Sequence, residues 1–419
     1  MSSMKINIYF FLITYFTVFL GFISQFFLSN IFSLEELGSL RTMLASSSIF
    51  LTILAFGFDT AIYTLASQGK KEHIDTAISF QILFFICLYL LFIFYVFNIS
   101  SIQDKDIFLY FILNILSAGI FSLVFNEKLG KSKRLEASYL QIKFKIAIVV
   151  ASIFSAYYYG LMGYVLSILT FQTLIIILEL YKINYQFILI KTKLFEIFKI
   201  SLPSFISIFL FTLAFNMDLI MMDIYSYDLK NVGLFSFSLL YYFVLAQISG
   251  VIQKILMPEL TKYSNKRFFK STKFLKTFFM YQLGLILSTI IFGYILYETF
   301  DFIDVTFFNS KFTESKVYVF LFVLKAIVFS SFSLVGIAIF SLRNYSYNIY
   351  LSLFLFIITY IGLYFSIPTY DIEVVLLYEI YAISISAVVY YIFFYKTFLA
   401  FKQLKIDELS YHSIKPENR

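Results

Sequence analysis

The chain has 419 residues, of which 61% are hydrophobic, and its mean hydropathy of +0.87 excludes an ordinary water-soluble domain. The net charge of +7 is not a nucleic-acid footprint, because Lys and Arg fall into alternate gaps between apolar runs, where they meet lipid headgroups. We therefore expect no nucleic-acid partner. The single cysteine, Cys87, excludes an intramolecular disulfide and is predicted to be a small buried apolar residue.

Apolar runs of about 20 residues, the length that a spanning helix needs, follow one another along the whole chain. They predict spans at 8–28, 40–63, 78–97, 107–125, 140–159, 161–180, 201–224, 234–256, 274–296, 317–340, 349–365 and 374–394. The predicted fold class is therefore an all-α polytopic membrane protein with about 12 transmembrane helices.

The gaps between these spans alternate in charge. Opposite the termini, the gaps are acidic, with residues such as Asp223 and Asp304 expected in outer turns. By the positive-inside rule, the basic side is the cytoplasm, so both termini are predicted to be cytoplasmic in a bacterial inner membrane. All but six of the 32 basic residues lie on the side of the termini, the exceptions being Arg41, Lys105, Lys230, Lys311, Lys316 and Lys325.

The cytoplasmic stretch 181–199 interleaves four lysines with Phe, Leu and Ile. This mixture predicts an amphipathic segment on the inner leaflet, with anionic lipids as partners. It also divides the chain into two predicted domains. Residues 1–198 form an N-terminal six-helix lobe with the connecting segment, and residues 199–419 form a C-terminal six-helix lobe with a cytoplasmic tail.

The two halves share a short pattern after their first span. Gly38 follows an acidic turn containing Glu36, and Gly233 follows a turn containing Asp228. A repeat with the same topology in each half is typical of transporters with two parallel six-helix lobes.

Three stretches carry a family resemblance. They are FSLEELG at 32–38 leading to LAFGFDTA at 54–61, ISLPSF at 200–205 leading to NMDLIMM at 216–222, and NVGLFS at 231–236 ending in LMPEL at 256–260. The chain resembles the Wzx-type O-antigen flippases of the MOP exporter superfamily, which also contains the multidrug MATE transporters. The resemblance implies two six-helix lobes around a central cavity, a proline where the seventh span begins, and an undecaprenyl-diphosphate-linked glycan as cargo. A polysaccharide polymerase and chain-length machinery would be further partners.

Charged residues inside spans are candidates for function, because inserting each one into a membrane at mid-helix costs about 2.5–3.5 kcal/mol. Arg41 and Asp59 lie 18 residues apart in the second predicted span, which is five helical turns and about 27 Å. Both would then point the same way from opposite ends and line an aqueous cavity, Arg41 as a substrate contact and Asp59 as a coupling-ion or ion-pair residue. The alternative is that each side chain snorkels to its own headgroup region.

Asp218, Lys325 and Glu379 occupy three different spans at predicted depths of about 9, 12 and 8 Å from the outer ends. One interpretation is a buried ionic tie between helices. In the other, Lys325 contacts the diphosphate or an acidic sugar, while Asp218 and Glu379 take up a coupling proton or cation.

The predicted function is a flippase that moves a lipid-linked oligosaccharide repeat unit from the cytoplasmic to the periplasmic leaflet, by ion-coupled alternating access. A MATE-like exporter of small organic cations is the first alternative, and a membrane glycan polymerase or transferase is the second. Enzyme activity is disfavoured because His73 and His412 both lie outside the spans and no large outer loop is predicted. We expect neither a cofactor nor a metal.

Overall fold

The computed structural model describes residues 3–70, 73–100, 102, 104–264, 269–342 and 345–414. In these residues the regular secondary structure is α-helical, apart from a 3-10 turn at Thr313–Ser315. The helices are α1 Ser3–Ile31, α2 Leu34–Ala55, α3 Phe58–Ser67, α4 His73–Asn98, α5 Lys105–Gly130, α6 Arg134–Lys182, α7 Lys191–Ile224, α8 Leu229–Ser264, α9 Ser271–Glu298, α10 Phe300–Phe308, α11 Lys316–Phe332, α12 Val335–Ser341, α13 Tyr345–Ser366 and α14 Ile372–Ile414.

Ten helices among the described residues are long and apolar enough to cross a membrane. One of them, α6, holds two predicted spans, because Gly160 adopts φ 59° and ψ −150° and breaks the helix between them. The first predicted span lies on α1. The predicted all-α polytopic membrane fold is confirmed.

The chain forms two compact units, Met1–Phe237 and Ser238–Arg419. This division lies inside α8 and not at the predicted position after residue 198. The reason is that α7 packs against α2, α3 and α4 of the first unit. The two predicted lobes of six spans stay a prediction.

The second predicted span is not one helix. Phe56 and Gly57 have φ values of 45° and 67°, which end α2 and start α3. A Cβ on Gly57 would lie 2.6 Å from the Ser201 carbonyl oxygen, so both the backbone angle and the close contact with α7 require glycine. The prediction that Arg41 and Asp59 share one face of a continuous helix is therefore wrong.

The two glycines of the predicted repeat lie at one helix crossing. A Cβ on Gly38 would lie 2.3 Å from the Leu229 carbonyl oxygen, and a Cβ on Gly233 would lie 2.0 Å from the Leu34 carbonyl oxygen. The first turns of α2 and α8 therefore contact each other backbone to backbone, each through the glycine four residues after its first residue. A capping box between Ser33 and Glu36 fixes the start of α2.

The connector after α6 differs from the prediction in form. Residues 185–190 are not helical, and α7 begins at Lys191. Pro203 therefore lies inside α7 and not at the start of a helix, where it removes one backbone hydrogen bond.

The second unit is built around α14, which packs against α11, α12 and α13, while α9 packs on α11. The predicted outer gap at 301–316 contains the short helix α10. Asp304 is buried there because its carboxylate accepts hydrogen bonds from the Phe312 backbone N–H and the Thr313 hydroxyl, both at 2.9 Å.

In the first unit, Asp223 belongs to the last turn of α7 and is buried, where it accepts a hydrogen bond from the Tyr95 hydroxyl at 3.1 Å. The expectation that Cys87 is buried is wrong. Cys87 is exposed on α4, because only one side of this helix packs against the rest of the unit.

Candidate functional site

Arg41 is a buried cation in the first unit. It lies two turns into α2 and is 7% exposed. The Tyr164 hydroxyl of α6 is the ionisable group with an electrostatic effect on it, and Gln25 of α1 hydrogen-bonds this hydroxyl. The Phe32 ring contacts the Tyr164 ring edge-on, with the ring centroids 6.0 Å apart.

No carboxylate compensates Arg41 among the described residues. Its Nε is buried without a hydrogen-bond partner, and none of the ion pairs in the described part of the chain includes it. Residues 1–30, which include the neighbouring helix α1, contain no Asp or Glu at all. A buried charge without a compensating partner is costly, so Arg41 needs an explanation.

Asp59 lies in the first turn of α3, directly after the left-handed break. Its Oδ2 accepts a hydrogen bond from the Ser122 hydroxyl at 3.0 Å, and Asn126 donates to the Ser122 carbonyl oxygen at 2.9 Å. Its Oδ1 is buried without a hydrogen-bond partner. Because the helix break rotates α3 relative to α2, Asp59 belongs to a polar cluster with α5 and not to a common face with Arg41.

Asp218 is 1% exposed, on the inward side of α7. Its Oδ1 accepts a hydrogen bond from the Leu219 backbone N–H at 2.8 Å. It belongs to the first unit, whereas Lys325 and Glu379 belong to the second.

Lys325 and Glu379 form a buried ion pair between α11 and α14. The Nζ of Lys325 donates to the Glu379 Oε2 at 2.5 Å, and both side chains are 3% or 4% exposed. The structure thus brings these two predicted residues together within one unit. Whether the pair is a structural tie or a working site stays a prediction.

Aromatic rings surround this ion pair. The Lys325 Nζ lies 5.3 Å from the centroid of the Tyr242 ring and 5.3 Å from that of Phe322. The Phe329 ring contacts Tyr242 at 6.2 Å. Carboxylate and ring faces together form a binding site for an ammonium group, which Lys325 itself occupies.

A further network of charges lies between α5 and α6 and was not predicted from sequence. Glu127 and Glu179 are both buried, although the position of Glu179 at the inner end of the sixth predicted span suggests an interfacial residue. The Lys128 Nζ lies 3.5 Å from a Glu179 oxygen and 3.8 Å from one of Glu136, while Lys182 pairs with Glu179. The sequence contains a signal for this network. At the ends of the fourth and sixth predicted spans, an acidic residue lies three or four positions from a lysine, which is the spacing of ion pairs on a helix. The network ties both ends of α6 to α5.

Comparison with solved structures identifies the fold. The chain is similar to a structure described as lipid II flippase MurJ in an inward closed conformation, with a TM-score of 0.72 and 16% identity over 98% of this chain and 94% of that one. It is also similar to a multidrug resistance MATE family transporter of the MOP superfamily. The outward-facing form gives a TM-score of 0.69 and 10% identity over 96% of both chains. The inward-facing form gives 0.66 and 11% over 92% of this chain and 96% of that one.

No family profile matches this sequence, and no curated protein matches it. At these identities the similarity establishes the fold, which is that of the MATE and MurJ transporters.

Proposed function

We propose that the protein is a flippase for a lipid-linked oligosaccharide repeat unit, with an undecaprenyl diphosphate as the carrier. It would move this cargo from the cytoplasmic to the periplasmic leaflet of a bacterial inner membrane, for assembly of O-antigen or capsular polysaccharide. The fold shared with a lipid II flippase supports transport of a lipid-linked cargo. The observation that carries the proposal is the buried Arg41, which no carboxylate among the described residues compensates.

Arg41 suits a diphosphate. A guanidinium presents its donors as a planar fork that matches phosphate oxygens in a bidentate geometry. Tyr164, which acts electrostatically on Arg41, is held by the edge-on contact with Phe32 and by a hydrogen bond with Gln25. A neutral or cationic cargo would leave this charge unused.

Lys325 and Glu379 supply a second proposed role, in ion coupling. Protonation of Glu379 would remove the negative partner of Lys325 and free the ammonium for the diphosphate or an acidic sugar. Release of that proton would restore the carboxylate and re-form the ion pair. Asp218 and Asp59 are proposed as further carboxylates that take up a coupling proton or cation, since both are buried or nearly so and Asp59 has no ion-pair partner among the described residues.

The alternative function, export of small organic cations, is supported by the fold shared with a multidrug resistance MATE transporter and by one observation in the second unit. The Glu379 carboxylate and the Tyr242 and Phe322 rings form a site of the kind that binds ammonium groups. Lys325 fills that site in this chain, which favours the flippase.

Disruption of the gene tests the proposal. We expect the lipid-linked repeat unit to accumulate in the cytoplasmic leaflet and surface glycan to disappear. Wild-type protein should restore the glycan, Arg41→Lys should restore it in part, and Arg41→Ala should not restore it at equal membrane abundance. Normal surface glycan together with altered resistance to cationic drugs would instead support the exporter. The polymerase and chain-length machinery are the proposed partners downstream, so their genes are expected beside this one.

A further inference from the structure

The connector between α6 and α7 presents an exposed apolar surface. Tyr181 is 83% exposed, Phe187 58%, Leu189 47% and Phe195 73%. Lys191 and Lys199 are exposed on the first two turns of α7. We call these six residues the connector face.

Contacts with α4 and with the core of the first unit fix the position of the connector face. The Tyr185 hydroxyl and the Ser79 hydroxyl of α4 lie 2.9 Å apart, and the Ile188 backbone N–H donates to the same Ser79 oxygen at 3.1 Å. On α7, Ile197 is buried in the core of the first unit, and Leu194 packs against that core. These contacts fix the connector although it is not helical. Because they hold its other side against the first unit, the apolar side chains of the connector face stay exposed.

The side chains on α7 alternate in a way that suits a membrane surface. Lys191, Phe195 and Lys199 are spaced four residues apart and share one face of the helix, opposite the buried Ile197. The phenyl ring of Phe195 can enter the apolar part of the membrane, while the lysine on either side of it extends to the lipid phosphates. Helices that lie at a membrane surface have this arrangement.

The acidic residues nearby are already engaged. Glu196 is the one acidic residue in 181–199, and it pairs with Lys70 and His73 on the side of α7 that faces α4. At the end of α6, Glu179 pairs with Lys128 and Lys182. Asp75 of α4 accepts a hydrogen bond from the Gln186 backbone N–H and acts electrostatically on Lys193 and Lys131. The six residues of the connector face include no carboxylate.

A groove lies directly beside this face. It has a volume of about 450 Å³ and is lined by Leu180, Tyr181, Asn184, Tyr185 and Gln186. Its amide and phenol groups offer hydrogen bonds to the polar atoms of a lipid headgroup.

We propose that the connector face is a membrane-surface site that binds anionic phospholipid of the leaflet it contacts. Phe187, Leu189 and Phe195 enter the boundary between headgroups and acyl chains, while Lys191 and Lys199 contact the phosphates. Two signals, apolar insertion and positive charge, act together, and each alone gives only weak membrane contact. Lipid binding at this site does not depend on the nature of the cargo, so it is tested independently of the proposed flippase function.

The absence of tryptophan in this chain makes the test direct. Single reporters are introduced as Phe195→Trp and Phe187→Trp in the full-length protein, which is reconstituted in phosphatidylcholine vesicles with or without phosphatidylglycerol. Ile86→Trp, at a 57% exposed position within α4, is the matched control for a lipid-facing side chain. Emission is recorded with brominated lipid of either headgroup and with aqueous iodide.

We expect both connector reporters to be quenched by brominated lipid and shielded from iodide. At equal content, brominated phosphatidylglycerol should quench the Phe195→Trp reporter about twofold more than brominated phosphatidylcholine, because each lysine near the surface attracts anionic lipid. Adding Lys191→Gln and Lys199→Gln should bring that ratio to one, while Ile86→Trp should show no headgroup preference.

Strong iodide quenching without lipid quenching would show that the face lies in water or against another protein, and would overturn the proposal. Equal quenching by the two headgroups in the unmodified lysine background would overturn the anionic preference.

Discussion

At the scale of single residues, the two buried basic side chains differ in how their charges are compensated. Lys325 has a carboxylate partner and two aromatic rings around its ammonium, whereas no ion pair in the described part of the chain includes Arg41. Since a buried charge without a partner is costly, the two residues are expected to respond differently to substitution. Lys325 should matter for stability, and Arg41 for cargo.

The ion pair gives the first prediction. Lys325→Met alone should lower the membrane level of the protein, because a buried Glu379 carboxylate left without its partner costs about 3–5 kcal/mol. The double variant Lys325→Met/Glu379→Gln should restore the level, as measured by immunoblot and by thermal unfolding in detergent. Restored glycan export with the restored level would identify a structural tie. A normal level without export would identify a working site.

Arg41 gives the second prediction, with the opposite sign for stability. Arg41→Leu removes an uncompensated buried charge, so we expect thermal stability that is unchanged or higher, by up to about 2 kcal/mol. Export should nevertheless be lost. A loss of stability comparable to that of Lys325→Met would mean that Arg41 has a structural partner, and would contradict its role as an anion site.

The sequence allowed part of this site to be predicted. Lys325 and Glu379 could be paired from their similar predicted depths in different spans, since opposite charges buried at the same membrane depth can form an ion pair. The same reasoning places Asp218 at a similar depth, and its association with the pair stays a prediction. The hydrogen bond between Ser122 and Asp59 could not be predicted, because it depends on a helix break that composition does not reveal.

At the scale of elements, glycines set where helices break and where they touch. Gly57 and Gly160 both have positive φ and interrupt apolar runs, while Gly38 and Gly233 allow α2 and α8 to approach at their first turns. The Gly160 break was predictable because the run from 140 to 180 is too long for one span. The break at Phe56 and Gly57 was not, because the run from 40 to 63 has the length of one span.

The crossing of α2 and α8 gives the third prediction. Gly233→Ala places a methyl group 2.0 Å from the Leu34 carbonyl oxygen, so the two helices must separate, at a cost of about 1–3 kcal/mol. The expected result is a lower thermal unfolding temperature of the purified protein. Gly250→Ala is the matched control in the same helix, since a Cβ there meets nothing within 4 Å and alanine is the better helix former. Equal unfolding temperatures for the two variants would show that the helices do not cross at these glycines.

At the scale of the whole molecule, the hydropathy of the spans was sufficient to predict the all-α membrane fold that the structure and the comparisons bear out. The division of the chain was harder to predict, because contacts made by α7 depend on its packing and not on span order. The orientation of the chain in the membrane stays a prediction from its basic residues.

Orientation gives the fourth prediction, which a thiol reagent can test. In a Cys87→Ser background, needed because Cys87 is exposed, single cysteines at Ser226 and Ser310 should react with an impermeant maleimide added outside the cell. Cysteines at Ser132 and Thr272 should react only after the membrane is opened. All four positions are exposed. Outside labelling of Ser132 or Thr272 would reverse the predicted topology.

The central claim is that this fold moves a lipid-linked diphosphate and that Arg41 recognises it. The most direct measurement is translocation of a fluorescent polyprenyl-diphosphate oligosaccharide in proteoliposomes, read as the fraction protected from a membrane-impermeant quencher. The wild-type protein should move this lipid and should not move a cationic dye, and Arg41→Leu should reduce translocation at least tenfold at equal protein content. Translocation of the dye but not of the lipid, or equal lipid translocation by wild type and Arg41→Leu, would contradict the account.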